Sequence, residues 1–254
     1  MPKPVRAALP RLIAHRGAAL HYPENTLLAI QAAVEAGAHY LEFDVLLSAD
    51  RVPVLFHDRD CVRMCNQPKA IHEYSYQKLS TFSVSEFDKF GYKYVANRMT
   101  SLQEAVTYLA DFPYVRSFVE LKRQALQHFG IKTVLDKVLP IVSTISEQVV
   151  IISYSLESLL ATRERCSLPI GAVFDRWSER KHPLITKLRP EYLFTDINEL
   201  PRFGQLSCPQ CELVVYECTD PVKAIKVHQR GVDLVETFAI AEMQQAMQLH
   251  SEAR

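Results

Sequence analysis

The chain has no surplus of charge: 29 Lys and Arg stand against 29 Asp and Glu, with 9 His. A protein that grips nucleic acid through its phosphates needs a basic excess. General nucleic-acid binding is therefore excluded, and any phosphate recognition must be local. No apolar run reaches the roughly 18 residues that suggest a membrane span, so no stable membrane insertion is expected. Ten residues precede the first strand-like run, and they lack the apolar segment of a secretory signal. Cytoplasmic residence with reduced thiols is the default expectation. Cysteine numbers only 6. Cys208 and Cys211 have redox or metal spacing, yet no second pair or nearby histidine completes a zinc site, and no thioredoxin-like context precedes them. No Gly/Ser linker or low-complexity tract divides the chain, so residues 1–254 read as one domain. At 48% hydrophobic residues, a large core can form.

What is present is an alternation of strand and helix signals. Strand-like runs cover Arg11–Ala14, Tyr40–Val45, Phe118–Leu121, Val149–Ile152, Ile170–Phe174, Tyr192–Phe194, Leu213–Tyr216 and Val232–Val235. Near-continuous apolar runs of this kind belong to parallel strands covered on both faces. Between them lie helical stretches such as Leu27 to Ala36, with Leu27, Ile30 and Val34 on one stripe, Asn25 as a cap and Gly37 as a stop. Val52 to Asp58 is an extra extended element. After it, residues 59–98 form a long excursion carrying Tyr74, Tyr76, Phe82, Phe87, Phe90, Tyr92 and Tyr94. Such a segment acts as a substrate lid or packs as a small helical subdomain. Trp177, after the fifth run, is placed either over a substrate's alcohol group or in packing.

The chemistry concentrates where apolar runs end. His15-Arg16-Gly17 follows Leu12-Ile13-Ala14, and His57-Asp58 follows Val52-Pro53-Val54-Leu55-Phe56. Glu42 and Asp44 alternate along a strand and so share one face. Two carboxylates facing a dry interior are stable only with a cation between them or with one protonated. Glu120 and Lys122 repeat the spacing on another run. Three carboxylates suit a hard cation, Mg²⁺ or Ca²⁺, better than zinc. Arg16 and Lys122 would add positive charge suited to a phosphate. His15 and His57 titrate near neutrality and are candidates for acid and base.

His15-Arg16-Gly17, Pro23-Glu24-Asn25-Thr26, Glu42-Phe43-Asp44, His57-Asp58 and Glu120-Leu121-Lys122 occur in an order and spacing similar to those of the glycerophosphodiester phosphodiesterase family. Thr100-Ser101-Leu102-Gln103-Glu104-Ala105 resembles the family's segment leading to the third metal ligand. The resemblance is dense over residues 11–60 and thin to about residue 237. It implies an α/β fold, a (β/α)8 TIM barrel with a loop excursion after the second strand, its site at the C-terminal strand ends. It further implies metal-dependent hydrolysis of a small-molecule glycerophosphodiester to sn-glycerol 3-phosphate and an alcohol. One divalent cation, Mg²⁺ or Ca²⁺, would be held by Glu42, Asp44 and Glu120. His15 and His57 would serve as acid and base, with Arg16 and Lys122 on the phosphate. Which histidine is acid, and whether water or the glycerol 2-hydroxyl attacks, stays open in the sequence.

Two stretches depart from the family's pattern. Val235-Glu236-Thr237-Phe238 stands where Thr-Asp is common, leaving an acid present but displaced. Tyr216 stands near a common Trp, and Glu217-Cys218-Thr219-Asp220 replaces a Thr-Val-Asn-like run. Both would reshape the pocket and bear on substrate choice. Alternative readings are a lysophospholipase D-type activity on single-chain lipids, if the aromatic excursion forms an apolar groove, and a catalytically silent barrel that binds phosphorylated ligands. The sequence carries no signal of oligomeric state.

Overall fold

Runs such as Val149-Val150-Ile151-Ile152 are β-branched and apolar on both faces, so they need cover above and below. A sheet closed on itself inside a ring of helices supplies both. The computed structural model describes residues 9–252 apart from 207 and 209. Its strands are β1 (Arg11–His15), β2 (Tyr40–Leu47), β3 (Pro53–Leu55), β4 (Arg116–Leu121), β5 (Val149–Ser153), β6 (Ile170–Phe174), β7 (Tyr192–Asp196), β8 (Glu212–Tyr216) and β9 (Leu234–Thr237). All but β3 pair in parallel in the order β1-β2-β4-β5-β6-β7-β8-β9, and β9 returns to β1. This is the closed (β/α)8 barrel, with helices between successive strands except β7 and β8, where the described residues form no helix. The last strand lies two residues later than the apolar pattern predicts.

Alternation divides the side chains into two cores. Ile13, Phe118, Val150, Ile152, Val173, Tyr192, Phe194, Val214 and Leu234 fill the barrel interior. Their outward neighbours, such as Ala14, Val119, Ile151, Val215 and Val235, pack beneath the helices. Gly171 takes an inward position because a Cβ there would come within 2.9 Å of Ile152 and Phe194. The interior is thus filled with side chains and its charged residues lie at the two ends, Arg11, Arg116 and Glu212 at the N-terminal one and the His15-to-Glu236 set at the C-terminal one.

β3 is the departure from pure barrel topology. It folds back antiparallel on the end of β2, pairing Val45 with Leu55 and Leu47 with Pro53. Phe56 continues the pairing by donating its N–H to the Asp44 carbonyl at 3.0 Å. His57 therefore reaches the rim from this extension and not from a barrel strand. Beyond it, residues 59–98 form short helices at Val62–Cys65, Tyr76–Leu79 and Phe87–Phe90 and a 3-10 turn at Ile71–Glu73. Phe82 and Tyr94 are buried, and Tyr74 meets Phe82 edge-on at 4.9 Å. The excursion thus forms short helices that pack Tyr74, Tyr76 and Phe82 into the main core, while Phe87 and Tyr92 stay exposed.

Other expectations change in detail. The first helix is Leu27–Glu35, and its cap is Thr26, whose hydroxyl accepts from the Ala29 N–H at 3.2 Å. Asn25 is drawn instead to Asp44, described below. Trp177 lies near Phe174 with the Arg180 guanidinium over its ring, which accounts for it by packing. Cys208 and Cys211 are joined as a disulfide, so the expectation of reduced thiols does not hold at that pair; their Cα atoms lie 5.4 Å apart, within disulfide reach. No helix among the described residues is long and apolar enough to cross a membrane.

Phe118 is fully buried at the centre of the interior cluster, edge-on to Tyr192 and Phe194. Phe118→Ala should cost about 3–5 kcal/mol. In urea unfolding this appears as a lower midpoint at unchanged slope; a loss under about 1 kcal/mol would mean that the interior is not packed in this way.

Candidate active site

Strand parity carries the polar residues to the rim. Ile13 faces inward, so His15 does too, two residues on. The same count takes Phe118 to Glu120 and Lys122, and Leu234 to Glu236. In β2 it selects Glu42 and Asp44, whose strand pairs Glu42 with His15 on β1 and Asp44 with Glu120 on β4. After β1 the backbone turns through left-handed conformations at Arg16 and Gly17, with φ of 57° and 82°. Gly17 is required there, since a Cβ would stand 2.6 Å from the Ala29 carbonyl carbon.

Glu42, Asp44 and Glu120 converge, with one oxygen from each lying within 4.8 Å of the others. All three are buried. Asp44 is well partnered: its Oδ1 is 3.0 Å from Lys122 Nζ, and its Oδ2 accepts from Asn25 Nδ2 at 2.8 Å. Asn25 Oδ1 in turn accepts from the Asp44 N–H at 3.0 Å. Burial pushes this carboxyl up, but Lys122 and Arg16 outweigh it and hold its pKa far below the usual range. Glu42 is the opposite case. Burial, then the like charges of Asp44, Glu236 and Glu120, push its pKa well above the ordinary value.

Glu42 Oε1, Glu120 Oε1 and Glu236 Oε1 are buried without a hydrogen-bond partner. Glu120 Oε1 does lie 3.0 Å from Lys122 Nζ, an ion pair lacking hydrogen-bond geometry. Four carboxylates, Glu42, Asp44, Glu120 and Glu236, share the rim with two permanent cations, Arg16 and Lys122. An all-oxygen donor set with unpaired lone pairs fits a hard cation such as Mg²⁺ or Ca²⁺. The residues present therefore suit the group.

Each histidine has its Nδ1 against a carboxylate. His57 Nδ1 is 2.9 Å from Asp58 Oδ1, and Arg63 donates to both oxygens of Asp58 at 2.7 and 3.0 Å. Arg63 also donates to Glu24 Oε1 at 2.6 Å, which accepts from Arg16 at 3.0 Å. One chain of charges thus links the two sides of the rim. His15 Nδ1 is 2.7 Å from Glu217 Oε2, while its Nε2 faces Glu42 at 3.7 Å and Glu236 at 4.0 Å. Burial, then the nearby Arg16 charge, lowers the pKa of His15.

The cavity at the rim is lined by all the sequence-predicted site residues except Asp44, with Glu236 beside them. Its other wall is Ile152, Tyr154, Val173, Phe194 and Tyr216, with the two tyrosine hydroxyls 2.8 Å apart. Asp44 lies just beneath, under Lys122 and Asn25. Sequence reasoning left Glu24, Arg63 and Glu217 without roles and treated Glu236 as displaced. Glu236 was legible from strand parity once the register of β9 is known. Arg63 carries no local signal, because its partners are 5 to 39 residues away in the chain.

A buried set of acids and histidines at the C-terminal rim of a (β/α)8 barrel is where this fold carries catalysis. The sequence pattern of the glycerophosphoryl diester phosphodiesterase family matches residues 15–236, and the chain belongs to that family. A glycerophosphodiester phosphodiesterase of Caldanaerobacter subterraneus subsp. tengcongensis is 29% identical over 164 residues, 64% of this chain and 66% of that protein. Glycerophosphodiester phosphodiesterase domain-containing protein 4 of Macaca fascicularis is 49% identical over 74 residues, covering 29% of this chain but 12% of that protein. The chain thus spans less than two thirds of these curated relatives. An Oleispira antarctica phosphodiesterase solved with the product sn-glycerol-3-phosphate has the same fold, with a TM-score of 0.82 at 21% identity over 94% of this chain and 97% of that one. The structure of a glycerophosphodiester phosphodiesterase from Agrobacterium tumefaciens superposes with a TM-score of 0.75 at 19% identity over 93% and 100%.

The raised pKa of Glu42 has a consequence for stability. A carboxyl whose pKa is higher folded than unfolded gives stability that is complete below the ordinary value of 4.5 and is lost as pH rises through the folded value. Metal-free protein should therefore lose stability from pH 5 to pH 8, and Glu42→Gln should flatten that slope. Urea unfolding of both proteins at the two pH values checks this, and equal slopes would contradict it.

Proposed function

We propose that the chain hydrolyses glycerophosphodiesters to sn-glycerol 3-phosphate and an alcohol, using one divalent cation, Mg²⁺ or Ca²⁺, held by Glu42, Asp44 and Glu120. The observation that carries this reading is the convergence of three buried carboxylates beside two histidines and two cations in one cavity. When bound, the ion would polarise the phosphate and offset charge that grows in the transition state. Arg16 presents a planar fork and Lys122 an ammonium to the same anion. Both carry positive charge throughout, since the surrounding carboxylates outweigh burial and raise their pKa values. Lys122 also screens Asp44 from Glu120.

His15 and His57 act as the acid and base. Each has Nδ1 engaged by a carboxylate, which directs Nε2 to the reacting groups. Water or the glycerol 2-hydroxyl gives up a proton to one imidazole, and the departing alkoxide takes a proton from the other. The wall of Ile152, Val173, Phe194, Tyr154 and Tyr216 excludes bulk water from the opposite side. No side chain of residues 59–98 lines the cavity among the described residues, which favours a small alcohol such as choline or ethanolamine. A lysophospholipase D-type activity would need an apolar groove leading from the excursion. A catalytically silent barrel would have no use for two imidazoles each set against a carboxylate. We take residues 1–254 as one catalytic domain.

A coupled assay for glycerol 3-phosphate should show release from glycerophosphocholine in preference to a lysophospholipid. The reverse order would select the lipid reading, and no release from either would leave a binding protein. His57→Ala should lower the rate by about 10²–10⁴-fold. A loss under threefold in folded protein would remove His57 from the chemistry. EDTA should abolish turnover and added Mg²⁺ or Ca²⁺ restore it; full activity in EDTA would contradict the carboxylate assignment.

A further inference from the structure

The stretches that follow β8 and β9 meet at one side chain, His15. Glu217, just past the end of β8, places Oε2 2.7 Å from His15 Nδ1. Its other oxygen, Oε1, accepts the backbone N–H of Phe238 at 3.1 Å. Phe238, just past the end of β9, lays its ring on the imidazole with centroids 4.7 Å apart and planes 5° apart. The Arg16 guanidinium lies over the same ring at 5.7 Å. His15 is thereby fixed in its own plane by the hydrogen bond and across its face by the ring, and Glu217 anchors both contacts.

We propose that Glu217 is the positioning residue of His15, holding the proton on Nδ1 so that the Nε2 lone pair faces the cavity. The inference rests on the catalytic role given to His15 above, and it concerns which nitrogen carries the proton in the neutral ring. A carboxylate can only accept, so the ring nitrogen facing it must donate. The other nitrogen, 3.7 Å from Glu42 and 4.0 Å from Glu236, is beyond hydrogen-bond distance of both and is left unprotonated in the neutral ring, facing the cavity. Glu217 touches neither the phosphate site nor the three converging carboxylates. Its one side-chain hydrogen bond toward the cavity is to His15.

The second contact of Glu217 makes an isosteric variant informative. In Glu217→Gln the amide oxygen is claimed by the Phe238 N–H, which needs an acceptor. The NH2 group then faces His15 Nδ1 and must donate to it, so the ring proton is driven to Nε2. The variant inverts the tautomer with almost no change of shape. Glu217→Ala removes the acceptor without supplying a donor and should leave a mixture of both tautomers.

Long-range ¹H–¹⁵N correlation spectra of metal-free protein with labelled histidine, above the pH at which the ring is neutral, read the tautomer directly. His15→Gln assigns the signal by its loss. The wild type should show Nδ1 protonated, Glu217→Gln should show Nε2 protonated, and Glu217→Ala should show both. In turnover, Glu217→Gln should lose roughly 10²-fold in kcat with KM changed less than threefold. Unaltered thermal melts would separate this from unfolding, and Glu217→Ala serves if Glu217→Gln does not fold. A wild type protonated on Nε2, or variants that keep the Nδ1 proton, would overturn the proposal. An inactive wild type that shows the expected tautomers would count against the proposed hydrolysis and leave the positioning role standing.

Discussion

Repulsion between carboxylates crowded onto one rim of a closed barrel is the constraint on which the rest of the site depends. Glu42, Asp44, Glu120 and Glu236 are all buried, and each removed from water carries a cost of several kcal/mol unless charge or hydrogen bonds replace the solvent. Arg16 and Lys122 offset part of that cost, and Asn25 donates one further hydrogen bond to the Asp44 carboxylate while accepting from its backbone N–H. What is left over is negative and points into a cavity. The barrel makes the crowding possible because its strands hold neighbouring side chains at fixed spacing and pack the interior beneath them with Phe118, Tyr192 and Phe194.

The polar network extends outward for the same reason. Arg63, on the short helix Val62–Cys65, ties Asp58, Glu24 and Glu86 together. Through Glu24 it reaches Arg16, and through Asp58 it reaches His57. The excursion after β3 thus serves the site as scaffolding, although it lends the cavity no lining side chain. Its remaining exposed rings, Phe87 and Tyr92, pack on each other away from the rim.

Much of this was legible in the residues. Runs apolar on both faces, repeated eight times, specify a covered parallel sheet, and period-two spacing puts Glu42 with Asp44 and Glu120 with Lys122. The structure brings together all seven residues singled out from the sequence, around one cavity. What failed had long-range causes. Asn25 has the residue type of a helix cap, but Asp44, 19 positions away, offers it a stronger use, and Thr26 caps the helix. Glu236 looked displaced beside the Thr-Asp common in the family, and the apolar run Val232–Val235 stops short of it. The strand instead runs to Thr237 and buries the acid. Glu217 lies beyond a strand end, where no periodicity applies, and its partner His15 is 202 residues distant.

The central claim is that the three converging carboxylates hold one divalent ion. Isothermal titration of metal-free protein with Mg²⁺ and with Ca²⁺, in two buffers of different ionisation enthalpy, tests it most directly. The account predicts one ion per chain, release of protons as Glu42 gives up its own, and loss of binding in Asp44→Asn. Absence of binding by the wild type, or binding that Asp44→Asn leaves unchanged, would contradict it.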